Sequence, residues 1–138
     1  MESVSQAESF TSINWDTRLP VPVITLEGLI SEYGEPTFCK IDVEGYELEV
    51  LRGLSRSLRA LSFEYIPATI EIALGCLERL AQLGDYEYNW SERETSRLRS
   101  PTWLTMKEIS THLEGLPSSR ASGDVYARLK NYLQFHSY

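Results

Sequence analysis

Residues 37–47 read Thr37-Phe38-Cys39-Lys40-Ile41-Asp42-Val43-Glu44-Gly45-Tyr46-Glu47, and this segment decides the fold. The apolar residues over positions 38–43 predict a short buried strand that ends in a cluster of carboxylates. Gly45 predicts a tight turn after it, and the acidic residues that follow indicate the first turn of a helix. In open α/β sheets, ligands bind outside the carboxyl ends of the strands. We therefore expect Asp42 and Glu44 to lie where such a fold carries out its chemistry.

Helical and strand patterns alternate on both sides of this segment. Before it, Thr25 is expected to begin a helix that Gly34 ends, with one apolar stripe facing the core (Leu26, Leu29, Ile30 and Tyr33). After it, apolar residues at helical spacing continue from Tyr46 (Leu51, Leu54, Leu58 and Leu61). A strand over 61–65 and a second helix over 69–83 come next. This alternation predicts parallel strands joined by right-handed crossovers.

The two ends of the chain have a different character. Residues 1–20 are expected to form an N-terminal arm or remnant, and residues 21–138 a single α/β domain. A short edge strand is predicted over 21–24, because Pro20 and Pro22 exclude it from the centre of a sheet. Towards the C-terminus, strands are predicted over 86–91 and 124–129, and a capping box at Thr105 opens a helix between them. These two late strands predict an antiparallel finish to the sheet.

Composition limits the class of protein. The chain has 138 residues and 42% hydrophobic residues, which is enough for one folded domain with a real core. No apolar run is long enough to span a membrane, and the N-terminus lacks the pattern of a secretory signal, so we expect a cytoplasmic protein. The net charge of −7 opposes nucleic-acid binding, and the basic run over 93–99 is interpreted as a solvated loop.

The cysteines and histidines do not form a metal-binding pattern. Cys39 and Cys76 fall in a predicted strand and a predicted helix, without a CxxC motif, so buried free thiols are favoured over a disulfide or a metal site. His112 and His136 are isolated in the sequence and are expected to be solvent-exposed.

The central segment also carries a family resemblance. Lys40-Ile41-Asp42-Val43-Glu44-Gly45, followed by Glu47 and by Val50-Leu51-Arg52-Gly53-Leu54, resembles the signature of FkbM-type S-adenosylmethionine-dependent methyltransferases. The resemblance extends over about residues 20–130 and includes Ser62-Phe63-Glu64-Tyr65 and Gly123-Asp124-Val125-Tyr126. It implies a partial class I, Rossmann-like sheet with strands in the order 4-5-7-6. The last strand would be antiparallel, and helices would cover both faces.

One part of the family pattern is missing from this sequence. In the family, the first strand ends in a glycine-rich turn and the second in an acidic residue that holds the cofactor ribose. No GxG triplet occurs here, because the eight glycines are all isolated. The resemblance therefore implies the C-terminal half of a methyltransferase, truncated, with most of the S-adenosylmethionine site absent. A natural short gene, a misassigned start and a cut chain are all compatible with this prediction.

The resemblance implies roles for five residues. Asp42 is the candidate catalytic residue, which would orient an acceptor hydroxyl or act as general base, and it would also contact the cofactor; the alternative is a helix-capping carboxylate. Glu44 and Gly45 are candidate cofactor contacts, although the turn itself requires a glycine. Glu47 and Glu64 are candidate substrate-side acids. Asp42, Glu44 and Glu47 could together hold Mg²⁺, but the helix dipole explains the two glutamates as well, and we favour that explanation.

Two functions remain open at the level of sequence. The first is methyl transfer from S-adenosylmethionine to the hydroxyl of a sugar, polyketide or similar small-molecule acceptor. The second is a non-catalytic, methyltransferase-like module that acts in interaction or oligomerisation. Loss of the preceding strands would expose the edge over 38–43, so we expect this edge to form a homodimer, to be covered by residues 1–20, or to aggregate.

Overall fold

The computed structural model describes residues 18–131, and their elements alternate along the chain. The helices are α1 (Leu26–Tyr33), α2 (Glu47–Arg52), α3 (Ile70–Leu83, preceded by a 3₁₀ turn at Pro67–Thr69) and α4 (Met106–Glu114). The strands are β1 (Cys39–Ile41), β2 (Ala60–Tyr65), β3 (Tyr86–Glu92) and β4 (Gly123–Leu129). The predicted α/β class is confirmed.

The four strands form one mixed sheet in the order β1-β2-β4-β3. β1 runs parallel to β2, and β4 lies between β2 and β3 and is antiparallel to both. The three strands that come first in the chain are therefore parallel to one another. Their carboxyl ends and the start of β4 meet at the same edge of the sheet.

The hydrophobic core lies on one face of this sheet. Phe63 on β2 pairs with Ile41 on β1 and Val125 on β4, and all three side chains are buried. α2, α3 and α4 pack over this face, since α3 contacts α2, α4 and β2, and α4 contacts β3. Most side chains of the opposite face are polar and at least partly exposed, among them Lys40, Glu64, Asp124, Tyr126 and Arg128.

The prediction that helices cover both faces of the sheet is wrong for α2, α3 and α4, because these three helices lie on the same face. The crossovers from β1 to β2 and from β2 to β3 both progress in the same direction along the sheet. Right-handed crossovers that progress in the same direction place their helices on the same face. The contact between α2 and α3 agrees with this rule.

Local capping explains where α1 and α4 begin. The Thr25 hydroxyl accepts a hydrogen bond from the Gly28 amide, and Gly34 ends α1 with a φ of +94°. Thr105 and Glu108 form the reciprocal capping box at the start of α4. Both predicted helix starts are confirmed.

Three predicted elements differ from the structure. Residues 21–24 form no strand: they have no strand partner among residues 18–131, and their side chains are exposed. The strand predicted over 38–43 is limited to Cys39–Ile41, since β1 has one strand neighbour within the described residues. Within the predicted inward stripe of α1 only Ile30 is buried, whereas Leu29 is 40% and Tyr33 is 77% exposed.

The helix after Tyr46 is also shorter than its leucine spacing predicts. It ends at Arg52, although Leu54 and Leu58 are buried in the following loop. Tyr86 supports this loop, since its hydroxyl accepts from the Leu58 amide at 2.8 Å and donates to the Leu58 carbonyl at 2.6 Å. The leucine spacing thus reports burial in the loop as well as in the helix.

Cys39 and His112 differ from the predictions in how far their side chains are buried. Both cysteines are free; Cys76 is buried, as predicted, whereas Cys39 is half-buried. Burial raises the pKa of both thiols, that of Cys76 to about 12, so neither is a reactive thiolate at neutral pH. His112 is half-buried with its ring centre 3.9 Å from that of Trp90, so its predicted solvent exposure is wrong. His136 lies outside the described residues.

Arg79 on α3 closes the C-terminal end of α2, and its replacement tests how strongly this contact holds the loop. Its guanidinium donates to the Leu51 carbonyl at 3.2 Å and to the Leu54 carbonyl at 2.6 Å. Arg79→Met leaves both carbonyls without this donor and is expected to lower the free energy of unfolding by about 1–3 kcal/mol, measured by urea denaturation.

Arg52→Met is the matched control for Arg79→Met. Arg52 pairs with Glu49 on the exposed side of α2, so its loss should cost less than about 0.5 kcal/mol. Equal losses in the two variants would contradict the capping role of Arg79.

Candidate functional site

A cavity of about 320 Å³ lies at the carboxyl edge of the sheet. Its lining comes from all four strands or from the residues next to them: Lys40, Asp42, Glu64, Arg93, Glu94, Ser96, Ser122, Gly123 and Asp124. Every lining residue except Gly123 is polar or charged. The topology explains the convergence, because β1, β2 and β3 end at this edge and β4 begins there.

Two carboxylates of the cavity face each other across neighbouring strands. Glu64 on β2 is paired with Asp124 on β4, so their side chains lie on the same face. Like charges at directly opposed positions of an antiparallel pair are destabilising. Asp42 follows Ile41, whose partner is Phe63, and it therefore stands next to Glu64 in this row of acids.

Burial and neighbouring carboxylates raise the pKa of both paired carboxyls. For Glu64 the main cause is desolvation, opposed by a hydrogen bond from Ser122 and reinforced by the charges of Asp42, Glu47 and Asp124. For Asp124 the main cause is again desolvation, with Lys40 lowering the pKa and Asp42 and Glu94 raising it. Carboxyls with a raised pKa in a cleft are candidates for proton transfer.

The turn after β1 positions Asp42. Glu44 and Gly45 both have positive φ angles, 52° and 98°, the combination that a type I′ turn requires. The Tyr46 amide closes the turn by donating to the Val43 carbonyl at 3.3 Å. A glutamate with positive φ is uncommon, and such strained residues concentrate at functional sites.

Glu47 supports the same turn from inside. Its side chain is buried, and its carboxylate accepts hydrogen bonds from the Gly45 amide at 3.0 Å and the Val43 amide at 3.4 Å. Glu47 is not part of the cavity lining, and its charge acts on Glu64 only at a distance.

The loop after β3 forms the remaining wall of the cavity. The Arg93 amide donates to the Ser122 carbonyl at 2.8 Å, which ties this loop to the start of β4. Arg93 and Ser96 both have positive φ angles. The sequence predicts a solvated loop here, and the residues are indeed exposed, but their place in the cavity was missed. The two positive φ angles are a backbone property that a non-glycine sequence does not reveal.

The predicted site residues are therefore only partly brought together. Asp42 and Glu64 share the cavity, Glu44 and Gly45 form the turn beside it, and Glu47 holds that turn. Asp124, Lys40 and Arg93 are cavity residues that were not predicted as site residues. The sequence could not identify Asp124, because its pairing with Glu64 depends on the register of β2 and β4, which only the structure gives.

Neither a metal centre nor a membrane span is found in the described part of the chain. Between residues 18 and 131, no group of three or more His, Cys, Asp or Glu side chains is arranged to hold a metal ion. None of the helices in that range is both long enough and apolar enough to cross a membrane.

The fold and the cavity define an α/β protein whose candidate site lies at the carboxyl edge of its sheet, as in ligand-binding open sheets. The methyltransferase FkbM domain family matches residues 1–79, more than half of the 138-residue chain. The chain therefore belongs to the FkbM methyltransferase domain family. No curated protein and no solved structure shows significant similarity to it.

The matched span differs from the predicted extent of the resemblance. The sequence predicts a resemblance over about residues 20–130, whereas the match begins at residue 1 and ends within α3. It includes Asp42, Glu44, Gly45, Glu47 and Glu64. The later part of the chain lies beyond the match, including β3, α4 and β4 and the cavity residues Arg93 and Asp124.

Gly45→Ala tests whether the turn depends on its glycine. An added Cβ would meet no atom within 4 Å, so any loss of stability comes from the φ of +98° rather than from a clash. We expect the free energy of unfolding to fall by about 1–2 kcal/mol in urea denaturation. Gly115→Ala is the control, because Gly115 has a φ of −83° and ordinary contacts. A similar loss in both variants would contradict a conformational role for Gly45.

Glu64→Gln tests the repulsion within the row of acids. Because the folded-state pKa of Glu64 is raised, this carboxyl contributes stability below its unfolded pKa, and that stability is lost as the pH rises through the folded pKa. Glu64→Gln should therefore be more stable than the parent chain at pH 7, by on the order of 0.5 kcal/mol. The difference should vanish as the pH falls below 4.5, the ordinary pKa of a glutamate side chain.

The control for this experiment is Glu114→Gln, at the exposed end of α4, which removes the same charge away from the cavity. Thermal or urea unfolding across pH measures both variants. A gain at neutral pH of the same size in Glu114→Gln would attribute the effect to net charge rather than to the burial of Glu64 among the carboxylates of the cavity.

Proposed function

We propose that this chain takes part in the transfer of a methyl group from S-adenosylmethionine to a hydroxyl of a small polar acceptor. The observation that carries the proposal is the polar cavity at the carboxyl edge of the sheet, in a chain of the FkbM methyltransferase domain family. Membership of the family supports methyl transfer in general. The cavity supports the choice of acceptor and the roles of individual residues.

The proposal assigns the four strands to positions in a complete methyltransferase sheet. β1, β2, β3 and β4 would correspond to strands four, five, six and seven, since β4 is antiparallel and lies between β2 and β3. On this assignment the chain is the C-terminal half of the fold. The turn after β1 would then face the part of the complete fold that holds the cofactor.

The lining of the cavity favours a hydroxyl-rich acceptor such as a sugar over an apolar polyketide. Carboxylates, serine hydroxyls and two cations line the cavity, and they can bind hydroxyl groups as donors or acceptors. An apolar acceptor would leave these groups without partners, and leaving buried polar groups unpaired is unfavourable.

Asp42 and Glu64 have different catalytic roles in this proposal. Asp42 is exposed at the mouth of the cavity, where it would accept a hydrogen bond from the acceptor hydroxyl and orient its oxygen. Glu64, with its raised pKa, would take up the hydroxyl proton as the new bond forms. Lys40 would offset part of the negative charge beside them, since its charge opposes the rise in the pKa of Asp124.

The described residues suit only part of S-adenosylmethionine, which supplies the electrophilic methyl group when bound. Asp42 and Glu44 are carboxylates at the edge of the cavity and suit the cationic methionine end. No apolar slot for adenine is found beside them in the described cavity, and the sequence contains no GxG turn. Binding of the adenosine half is therefore expected to depend on groups outside residues 18–131.

A non-catalytic module is the second candidate function. It is favoured by the lack of an apolar adenine slot in the described cavity, together with the exposed apolar residues around β1. A cytoplasmic location and the absence of nucleic-acid partners stay predictions from composition.

Calorimetry with the full chain separates the two functions. If the chain is catalytic, S-adenosylmethionine and S-adenosylhomocysteine should bind with measurable heat. Asp42→Asn should then weaken the binding of S-adenosylmethionine about tenfold or more, because a charged contact to the cationic methionine end is lost. Glu114→Gln should bind like the parent chain.

Two outcomes would count against catalysis. One is the absence of heat at the highest soluble ligand concentration, which would favour the non-catalytic module. The other is binding that Asp42→Asn leaves unchanged, which would remove Asp42 from the cofactor site. Radiolabelled methyl transfer to a panel of sugars, with an apolar polyketide as the comparison, tests the choice of acceptor.

A further inference from the structure

Exposed apolar side chains are concentrated in one part of the described chain. Eleven large hydrophobic residues are exposed, and nine of them precede residue 47: Leu19, Val21, Val23, Ile24, Leu29, Tyr33, Phe38, Val43 and Tyr46. Isolated exposed apolar residues are ordinary, whereas contiguous exposed apolar residues mark an interaction surface. Three of the nine, Phe38, Val43 and Tyr46, lie next to or close behind β1.

Within residues 18–131, one edge of the sheet is covered and the other is open. The outer edge of β3 is covered by the chain itself, because Leu104 exchanges two backbone hydrogen bonds with Tyr88 and the Arg99 amide donates to the Trp90 carbonyl. β1 pairs with β2 on one side only, and residues 18–131 provide no partner for its other side. An uncovered strand edge is a template for pairing with another chain.

We propose that two copies of this chain associate through β1, with residues 39–43 of each copy paired antiparallel about a two-fold axis. Such a contact is isologous and closed, so it uses the free edge of both copies and leaves no further edge to propagate. The sheet then continues across the dimer as eight strands. This inference concerns the β1 edge and does not depend on methyl transfer.

Charge complementarity selects the register of this pairing. If the two-fold axis passes at Ile41, Lys40 of each copy lies opposite Asp42 of the other, and the dimer gains two opposite-charge pairs. Cys39 then lies opposite Val43, so apolar side chains meet on the core face. A register centred on Lys40 would instead place the two lysines opposite each other.

Exposed aromatic side chains provide about half of the area that a stable dimer needs. Tyr33, Phe38 and Tyr46 are 77%, 47% and 67% exposed. At about 200 Å² for a whole aromatic side chain, these three leave roughly 400 Å² uncovered on each copy. A standard stable interface buries about 800 Å² per partner. The backbone of β1 and the exposed Val43 directly behind it add to this area.

The proposed register also affects the cavity. Lys40 and Asp42 line it in each copy, so the partner's pairing residues would border the same site. The dimer would thus place charged groups from two chains at the edge of each cavity. Dimerisation and cofactor binding are measured separately, by mass and by heat, so one can fail without the other.

A charge-reversal cycle on the full chain tests the proposal. Light scattering coupled to size exclusion should give the mass of two chains for the parent. Lys40→Glu and Asp42→Lys should each weaken the dimer about tenfold, because each places like charges opposite one another twice. The double variant should restore the parent affinity. Lys107→Glu, on the exposed side of α4, is the control and should remain dimeric.

The position of the interface is tested by amide hydrogen exchange. Protection over residues 39–43 should increase with protein concentration in the parent and in the double variant, and not in the single variants. A monomer at the highest soluble concentration would overturn the proposal and would leave residues 1–17 or another protein to cover β1. A dimer that Lys40→Glu leaves intact, or that the double variant fails to restore, would also overturn it.

Discussion

The double pairing of β2 is the constraint on which the rest of the structure depends. β2 is hydrogen-bonded to β1 on one side and to β4 on the other, and Leu61, Phe63 and Tyr65 are fully buried beneath the helices. Because side chains alternate along a strand, this burial directs Glu64 to the opposite face. The antiparallel register with β4 then sets Asp124 directly against Glu64. The same pairing that builds the core thus creates the acidic cavity.

The cavity holds charges that stability alone would not favour. Glu64 and Asp124 face each other in a setting that makes both harder to ionise, and Glu44 occupies a strained turn position. The chain supports this arrangement with Glu47, which satisfies two amides of the turn, and with Lys40, which offsets part of the negative charge. Unfavourable local arrangements that are held by their surroundings are characteristic of functional sites.

The uneven distribution of apolar surface has the same origin as the shortness of β1. A strand with one neighbour keeps fewer residues in the ladder and leaves its flanking side chains uncovered. Phe38 and Val43, which the sequence pattern assigns to a buried strand, are consequently exposed. The stripe of α1 is affected similarly, since Ile30 reaches the core and Tyr33 does not. The sequence thus contains more apolar side chains at positions predicted to be buried than residues 18–131 bury.

Local signals determined most of the elements of this protein. The caps at Thr25 and Thr105, the glycine stops and the period-two strands are short-range patterns, and they predicted α1, α3, α4 and three of the four strands closely. The Lys40–Gly45 motif also identified the family and one cavity residue, Asp42. Only the tertiary structure decided the opposition of Glu64 and Asp124, the place of Arg93 in the cavity wall, the early end of α2 and the free edge of β1. These features arise from contacts between residues far apart in the chain, as when Arg79 caps α2 and Ser122 holds Arg93. A local pattern carries no information about such partners.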